Sequence, residues 1–265
     1  MRFKSSRAEG SYYIVMQLDK VCLIRQPGGL GDIIFCQKIA KKIQTNTEYK
    51  TVIWPVAPAY AYLNKYLIGE NVNYCDEREA FPHKEVYLSR QPNILQSDTF
   101  LYLPLESANH VLKTCKCHND PVGNGVMKYD LCSISSEDWV DYFEFRRDEN
   151  REDHLVKALG IDLREPYNLI NENFGTFPHF CVREPKINPN NGLKNIYMNF
   201  YEGVILFDWI KVFENATEIH TVETCLPYLF EKMKLKNVFV YWKNDVFKNA
   251  ACLRAQYKSD WNFLD

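Results

Sequence analysis

A glycine-rich loop near the start of the chain contains the residues best suited to binding a ligand. Gly28, Gly29 and Gly31 lie in the segment Gln-Pro-Gly-Gly-Leu-Gly-Asp, which ends at Asp32. Glycines allow a tight turn and let backbone N–H groups approach a ligand, and a following helix adds its dipole. The segment lacks the Gly-Lys-Ser/Thr of a P-loop and the G-x-G-x-x-G pattern of dinucleotide folds. It therefore indicates a ligand-binding loop of another kind, or only a tight turn.

Two roles are open to Asp32. It falls in the first turn of a predicted helix, where the helix dipole stabilises a carboxylate and where acidic side chains commonly cap the backbone. A carboxylate at this place could instead act as a general base that accepts a proton from an acceptor hydroxyl in a cleft. The local sequence is compatible with both roles.

A second candidate site lies in the segment Ile-His-Thr-Val-Glu-Thr-Cys at residues 219–225. Thr221 falls near the end of a predicted strand, and Glu223 and Thr224 fall where the next helix starts. The N–H groups of a helix start suit a diphosphate, and Glu223 could accept hydrogen bonds from sugar hydroxyls. The alternative is an ordinary capped helix. We expect His220, in an apolar strand, to be a packed residue.

Residues after the first strand of the second half would reach the same ligand. Asn171, Gly175 and Thr176 follow that predicted strand, and Arg183 could supply positive charge to a diphosphate. A turn and a solvated arginine are the simpler alternatives for these residues.

A metal site is not predicted. Cys115, Cys117 and His118 have zinc-ligand side chains, but the sequence contains no second pair at C-x-x-C or H-x-x-x-H spacing. The G-x-S-x-G elbow of serine hydrolases is also absent from the sequence.

The elements that must position these residues are predicted to alternate between strands and helices, which is typical of parallel α/β sheets. The predicted strands are 12–18, 21–25, 51–55, 85–88, 99–103, 139–145, 167–171, 195–200, 218–222 and 237–242. The predicted helices are 33–43, 60–67, 206–215, 224–233 and 246–261, and the charged stretch 146–153 leads into a further predicted helix that ends at 159. Residues 104–135 are predicted to be a loop-rich excursion, and a boundary is expected near Pro166.

Charge and cysteine content exclude several classes of protein. The 32 Lys and Arg against 34 Asp and Glu give a net charge of -2, so we expect no binding to nucleic acid. The nine scattered cysteines favour reduced thiols and a cytoplasmic location. The longest apolar runs are far below the ~20 residues that span a bilayer, so no transmembrane segment is predicted. The sequence does not indicate an oligomeric state.

These motifs and their order resemble the two-domain GT-B glycosyltransferases, and among them most the heptosyltransferases of glycosyltransferase family 9. In that family the aspartate of the glycine loop is regarded as the catalytic base, and it falls on Asp32. The family's Asp-Ser/Thr-Gly signature, which holds the nucleotide sugar, falls on Glu223, Thr224 and Cys225. Glu thus replaces Asp and Cys replaces Gly, and the family's downstream histidine falls on Tyr228. A similar glycine loop also occurs in fucosyltransferases of the GT-B type.

The resemblance implies two Rossmann-like domains with a cleft between them. Residues 1–165 would form an acceptor domain, and residues 166–265 would form a nucleotide-sugar-binding domain. The activity it implies is transfer of a sugar from a nucleotide diphosphate sugar to a hydroxyl of a glycan or glycoconjugate, inverting and without metal or other cofactor. The alternative is a non-catalytic nucleotide- or glycan-binding protein of the same fold. A sugar-nucleotide epimerase is disfavoured, because the sequence shows no recognisable pair of acid/base groups.

Overall fold

The computed structural model describes residues 20–108, 123–176, 179–242 and 256–264. Within these ranges the strands are, in chain order, β1 Val21–Ile24, β2 Thr51–Val56, β3 Val72–Asp76, β4 Leu95–Gln96, β5 Phe100–Leu103, β6 Tyr167–Asn171, β7 Asn173–Thr176, β8 His179–Val182, β9 Lys194–Tyr197, β10 Glu218–Val222, β11 Val238–Tyr241 and β12 Asn262–Leu264.

The α-helices of the same ranges are α1 Leu30–Phe35, α2 Gln37–Asn46, α3 Leu63–Tyr66, α4 Lys84–Leu88, α5 Gly123–Leu131, α6 Glu149–Ala158, α7 Ile210–Asn215 and α8 Leu226–Met233. Short 3₁₀ helices occur at Pro58–Tyr60, Leu105–Ser107, Trp139–Tyr142 and Leu206–Trp209.

The first half of the chain forms a five-stranded sheet in the order β3-β2-β1-β5-β4. β1 is parallel to β2 and to β5, whereas β4 is antiparallel to β5. All four residues of β1 are buried, as expected for a central strand with both faces covered. Cys22 and Ile24 contact the main core, and Val21 and Leu23 contact a smaller cluster with Tyr87 on the other face.

The second half forms another five-stranded sheet, in the order β12-β11-β10-β6-β9 and parallel throughout. β7 and β8 form a separate antiparallel pair. In this sheet β9 lies on one side of β6, and β10 lies on the other side. In the first sheet β2 lies on one side of β1, and β5 lies on the other side. The order of the strands therefore reverses at β6 and at β1. Ligands of open parallel sheets bind beyond the carboxyl ends of the strands at such reversals.

A continuous hydrophobic core contains residues from both halves. Phe207 stacks on Tyr66, with 5.2 Å between ring centroids, and on Phe145 at 5.5 Å. Phe35 at the end of α1 contacts Tyr228 in α8, with 5.4 Å between their centroids. The start of the first half and the end of the second are therefore packed against each other.

The predicted mixed α/β class with parallel sheets is confirmed, and β6 and β10 have the predicted bounds. Two predicted strands are wrong. Residues 85–88 belong to α4, in which Tyr87 is buried against the first sheet while Leu88 is 61% exposed. Residues 139–142 form a 3₁₀ helix that begins after Asp138, at φ 53, and packs Trp139 edge-on against Phe35.

Several predictions lie outside the described residues. These are the strand at 12–18, the group Cys115, Cys117 and His118, and most of the helix at 246–261. In the parts of the chain that the structure describes, none of the helices combines the length and the hydrophobicity needed to cross a bilayer. The cytoplasmic location and the domain boundary between residues 165 and 166 stay predictions.

Candidate functional site

A cavity of about 740 Å³ lies beyond the carboxyl ends of β1, β6 and β10. One wall comes from the glycine loop and the residues after β2, and the facing wall comes from the second half of the chain. Residues of both sequence motifs line it. The lining residues include Gly29, Gly31, Asp32, Asn171, Gly175, Phe200, Tyr201, Glu202, Glu223, Thr224 and Tyr228.

The backbone of the glycine loop determines where the carboxylate of Asp32 lies. Gly29 precedes α1 with φ 71, in the left-handed region that favours glycine. A Cβ atom at Gly29 would come within 2.7 Å of Asp32 Oδ2. Gly28 lies outside the cavity lining, and its carbonyl accepts a hydrogen bond from Gln26 Nε2 at 2.6 Å. The carboxylate therefore lies over the turn and at the cavity wall.

Asp32 forms an ion pair that the sequence does not indicate. Its Oδ1 lies 2.8 Å from Nζ of Lys128, which α5 places beneath the glycine loop. The lysine side chain is 4% exposed and that of Asp32 is 36% exposed. Gln26 Nε2 lies 3.5 Å from Oδ2. Among the described residues, no backbone N–H donates to this carboxylate, so a capping role for Asp32 finds no support in its hydrogen bonds.

The facing wall begins where β10 ends. Glu223 is buried, and its N–H donates to the carbonyl of Tyr241 at 2.9 Å. Thr224 Oγ1 accepts a hydrogen bond from the N–H of Leu226 at 3.3 Å, so this hydroxyl helps to satisfy the start of α8. The capping alternative therefore holds for Thr224, whose side chain also reaches the cavity wall.

Gly31 allows the two walls to approach closely. A Cβ atom there would lie 3.0 Å from the Tyr228 ring and 3.3 Å from Cα of Cys225. Burial raises the pKa of the Tyr228 hydroxyl well above its ordinary value, and the carboxylates of Glu223 and Asp32 raise it further. Tyr228 therefore stays neutral near neutral pH, and its hydroxyl donates to Gln256 Oε1 at 2.9 Å.

The end of β6 contributes Asn171 and Gly175 to the cavity. The Asn171 amide donates to Thr221 Oγ1 at 3.1 Å and to the carbonyl of Asn173 at 3.2 Å. Thr221 itself is fully buried and lies outside the lining, so its contact with the cavity is indirect, through Asn171. Thr176 ends β7, and its side chain lies outside what the structure describes.

Arg183 is not brought to the cavity. Its guanidinium donates to the backbone carbonyls of Trp242, at 3.1 Å, and Pro185. It also lies over the ring of Tyr241, 5.3 Å from the centroid. These contacts hold the arginine inside the second half, where it joins β11 to the segment after β8.

The described lining of the cavity is acidic and aromatic. Its charged side chains are Asp32, Glu202 and Glu223, and these described lining residues include no lysine or arginine. Phe200 and Tyr201 present rings that are 62% and 41% exposed, which suits packing against a flat or ring-shaped ligand. Within the described ranges, no three His, Cys, Asp or Glu side chains come together as metal ligands would.

Sequence reasoning missed Lys128, Gln26 and the rings of Phe200 and Tyr201. Lys128 has no motif around it, and only the packing of α5 beneath the loop brings it to Asp32. Gln26 directly precedes the glycine loop, and its place at the end of β1 is the signal that could have identified it.

Comparison with known proteins finds similarity in fold. No family model matches the sequence, and no curated protein matches it. A crystal structure of a glycosyl transferase of family 9 from Veillonella parvula matches 94% of this chain and 88% of its own, with a TM-score of 0.53 at 10% identity. The chain is similar in fold to that protein. The motifs indicate a resemblance to family 9, and this fold similarity agrees with it.

Two further matches are structures of the dodecameric, iron-containing glycosyltransferase TibC. The first, from enterotoxigenic E. coli, has a TM-score of 0.47 at 10% identity, with 84% of this chain and 58% of that one covered. The second is described as a heptosyltransferase in complex with ADP-D-beta-D-heptose, and it has a TM-score of 0.43 at 11% identity over the same shares of the two chains.

Proposed function

We propose that the protein transfers a sugar from a nucleotide diphosphate sugar to a hydroxyl group of a glycan or glycoconjugate, with Asp32 as the general base. The observation that carries the proposal is the cavity itself. It brings the carboxylate after β1 and the helix start after β10 to facing walls of one space. The fold shared with a glycosyl transferase of family 9 supports the same reading.

In the proposed reaction, Asp32 takes the proton of the acceptor hydroxyl while the oxygen attacks the anomeric carbon. The bond from that carbon to the diphosphate breaks, and the electron pair leaves with the nucleotide diphosphate. Attack from the face opposite the leaving group inverts the anomeric configuration. The sugar would lie between the glycine loop and Glu223.

The leaving diphosphate would lie at the start of α8, whose dipole favours negative charge. Asn171, Gly175, Glu223 and Thr224 surround that place and would contact the donor. We propose no metal and no other cofactor for this step, so transfer should persist in EDTA. The two halves would act as acceptor and donor domains, with the cavity as the cleft between them.

The first experiment is a thermal-shift screen of nucleotide diphosphates and their sugars. A ligand that binds only the folded chain stabilises it by about 2.7 kcal/mol at a hundred times its Kd. We expect at least one nucleotide diphosphate sugar to raise the melting temperature by several degrees. A screen in which no nucleotide raises it would contradict the proposal.

The second experiment compares Asp32→Asn with a matched control. Asp138 is 43% exposed and pairs with the buried Lys38 at 2.7 Å, close to the 36% and 2.8 Å of the Asp32–Lys128 pair. We expect Asp32→Asn to lower kcat by about 10²- to 10⁴-fold and to keep donor binding, with Asp138→Asn unchanged in both. Donor binding without turnover of any acceptor by the wild type would instead support the non-catalytic binding protein. The anomeric configuration of the product, read by NMR, tests inversion.

A further inference from the structure

We propose that Lys128 is a positioning residue for Asp32: the lysine ammonium group holds Oδ1, and Oδ2, which among the described residues has only the 3.5 Å contact with Gln26 Nε2, meets the acceptor. This inference rests on the proposed function, in which Asp32 is the base. It starts from the ion pair between α5 and the glycine loop, with 2.8 Å between Lys128 Nζ and Asp32 Oδ1.

The burial of Lys128 makes this contact unlike a surface ion pair. A lysine that is 4% exposed has little water to solvate its charge, so its ammonium group depends on Asp32. Asp32, at 36% exposure, still reaches water and the cavity. The two partners are therefore not equivalent. Without Asp32 the buried ammonium group has no counter-charge among the described residues, whereas without Lys128 the carboxylate is still solvated by water.

The ion pair also selects which oxygen is available. Oδ1 faces Lys128 at 2.8 Å. Oδ2 has a longer contact, 3.5 Å to Gln26 Nε2, and lies beside Gly29, where a Cβ atom would approach it to 2.7 Å. Gly29 belongs to the cavity wall. An acceptor hydroxyl entering the cavity would therefore meet Oδ2, with the orientation of the carboxylate already fixed by the lysine.

Lys128 also provides the positive charge beside Asp32 among the described residues. The other titratable groups that face Asp32 are Cys36 in the turn between α1 and α2, Tyr228 on α8 and, next to Tyr228, Glu223. Burial raises the pKa values of the Cys36 thiol and the Tyr228 hydroxyl, so both groups are neutral near neutral pH. Glu223 is an acid, so among these groups Lys128 is the one that places positive charge against the carboxylate of Asp32.

A direct test follows the carboxyl signal of Asp32 by NMR in protein labelled with ¹³C at the aspartate carboxyl carbons. The signal is assigned by its loss in Asp32→Asn. We expect Lys128→Met to change the chemical shift of this signal at neutral pH, because Oδ1 loses its contact with the ammonium group, and Lys128→Arg to bring the shift back toward the wild type. The matched control is Lys38→Met, which removes a lysine of 5% exposure from its pair with Asp138 and should leave the Asp32 signal unchanged.

Enzyme kinetics supply the functional readout. We expect Lys128→Met to lower kcat on the order of tenfold to a hundredfold, because a reacting group displaced by about 1 Å can lose that much. The donor KM should stay within about twofold. A raised donor KM with an unchanged Asp32 carboxyl signal would show that Lys128 serves the donor instead, and would overturn the proposal.

Stability measurements show whether a variant loses activity because it folds poorly. Asp32→Ala leaves Lys128 buried without its partner and should lower the melting temperature more than Lys128→Met does. The double variant should recover part of the loss, and additive losses would contradict the coupling. An Asp32 carboxyl signal that is the same in wild type and Lys128→Met overturns the proposal whether or not sugar transfer is detected. Absence of transfer by the wild type alone counts against the proposed function, and the NMR signal of Asp32 then decides the role of Lys128.

Discussion

At the scale of single residues, Gly29 shows how one backbone angle controls the position of a candidate base. Its φ of 71 turns the chain from β1 into α1, and the missing Cβ leaves the space that Asp32 Oδ2 occupies. A larger residue at this position is unfavourable for two reasons. An L-residue is strained at this φ, and its Cβ atom would clash with the carboxylate of Asp32.

We therefore expect Gly29→Ala to lose stability and sugar transfer together. The strain at positive φ costs about 1–2 kcal/mol, and displacement of Asp32 from its place over the turn removes the base from the cavity. Urea denaturation measures the first effect, and kcat with a nucleotide sugar donor measures the second.

Gly192→Ala is the matched control for that change. Gly192 has φ 76, but a Cβ atom there would have no neighbour within 4 Å. It should lose a similar amount of stability and keep its activity. Equal loss of transfer in both variants would show that strain alone, and not the displaced carboxylate, explains the effect at Gly29.

The sequence predicted the glycine loop and Asp32 because both belong to one short segment. It could not predict Lys128, which lies far along the chain and meets Asp32 only through the packing of α5. Nor could it show that Arg183 would turn toward the carbonyls of Trp242 and Pro185, because that choice depends on the path of the segment after β8. A local motif is sufficient to predict that a residue is functional, but the contacts of that residue depend on tertiary packing.

At the scale of elements, buried parallel strands were the most predictable parts. The runs at β6 and β10 are short and almost entirely buried, and their bounds match the prediction. The segment 85–88 has similar composition, but it lies on a face of the sheet and is not a strand of it. Tyr87 is the buried residue of this segment, and a helix is sufficient to bury that one side chain. Composition therefore does not distinguish a central strand from a surface helix when the helix buries one large side chain.

Within β10, His220 gives a pH dependence to stability. The side chain is buried, stacks on Phe239 with 4.6 Å between ring centroids, and contacts Glu218 Oε2 at 2.9 Å and the Tyr241 hydroxyl at 3.1 Å. Burial lowers the pKa of His220 below its ordinary value of 6.5, against the opposing effect of Glu218. The unfolded chain therefore binds a proton at a higher pH than the folded chain does.

We expect the free energy of unfolding to fall as the pH drops below about 6.5, because protonation then favours the unfolded chain. Above that pH the histidine is neutral in both states and has no such effect. His220→Gln should show a shallower fall between pH 7.5 and 5 in urea titrations. A steeper fall in the variant would mean that the contact with Glu218 outweighs burial, so that protonated His220 stabilises the fold.

At the scale of the whole molecule, the two sheets share one core although each has its own topology. Phe207, from the 3₁₀ helix before α7, reaches across to Tyr66 and Phe145 and is 1% exposed. Phe213 is equally buried but packs within the second half, on Phe230 at 4.9 Å between centroids. The two phenylalanines are therefore equally buried, but Phe207 contacts the first half of the chain and Phe213 packs on a residue of the second half.

This difference gives a test of the predicted boundary between residues 165 and 166. Removal of a buried phenylalanine costs about 3–5 kcal/mol, so Phe207→Ala and Phe213→Ala should both lower stability. Hydrogen exchange with peptide mass spectrometry reports β1 and β10 separately across a urea series. We expect the two strands to lose protection together in the wild type and in Phe213→Ala, but at different urea concentrations in Phe207→Ala, because that change removes the stacking of Phe207 on Tyr66 and Phe145 between the halves. Joint loss in Phe207→Ala would mean that the halves remain coupled through α1 and α8, and that the chain unfolds as one unit.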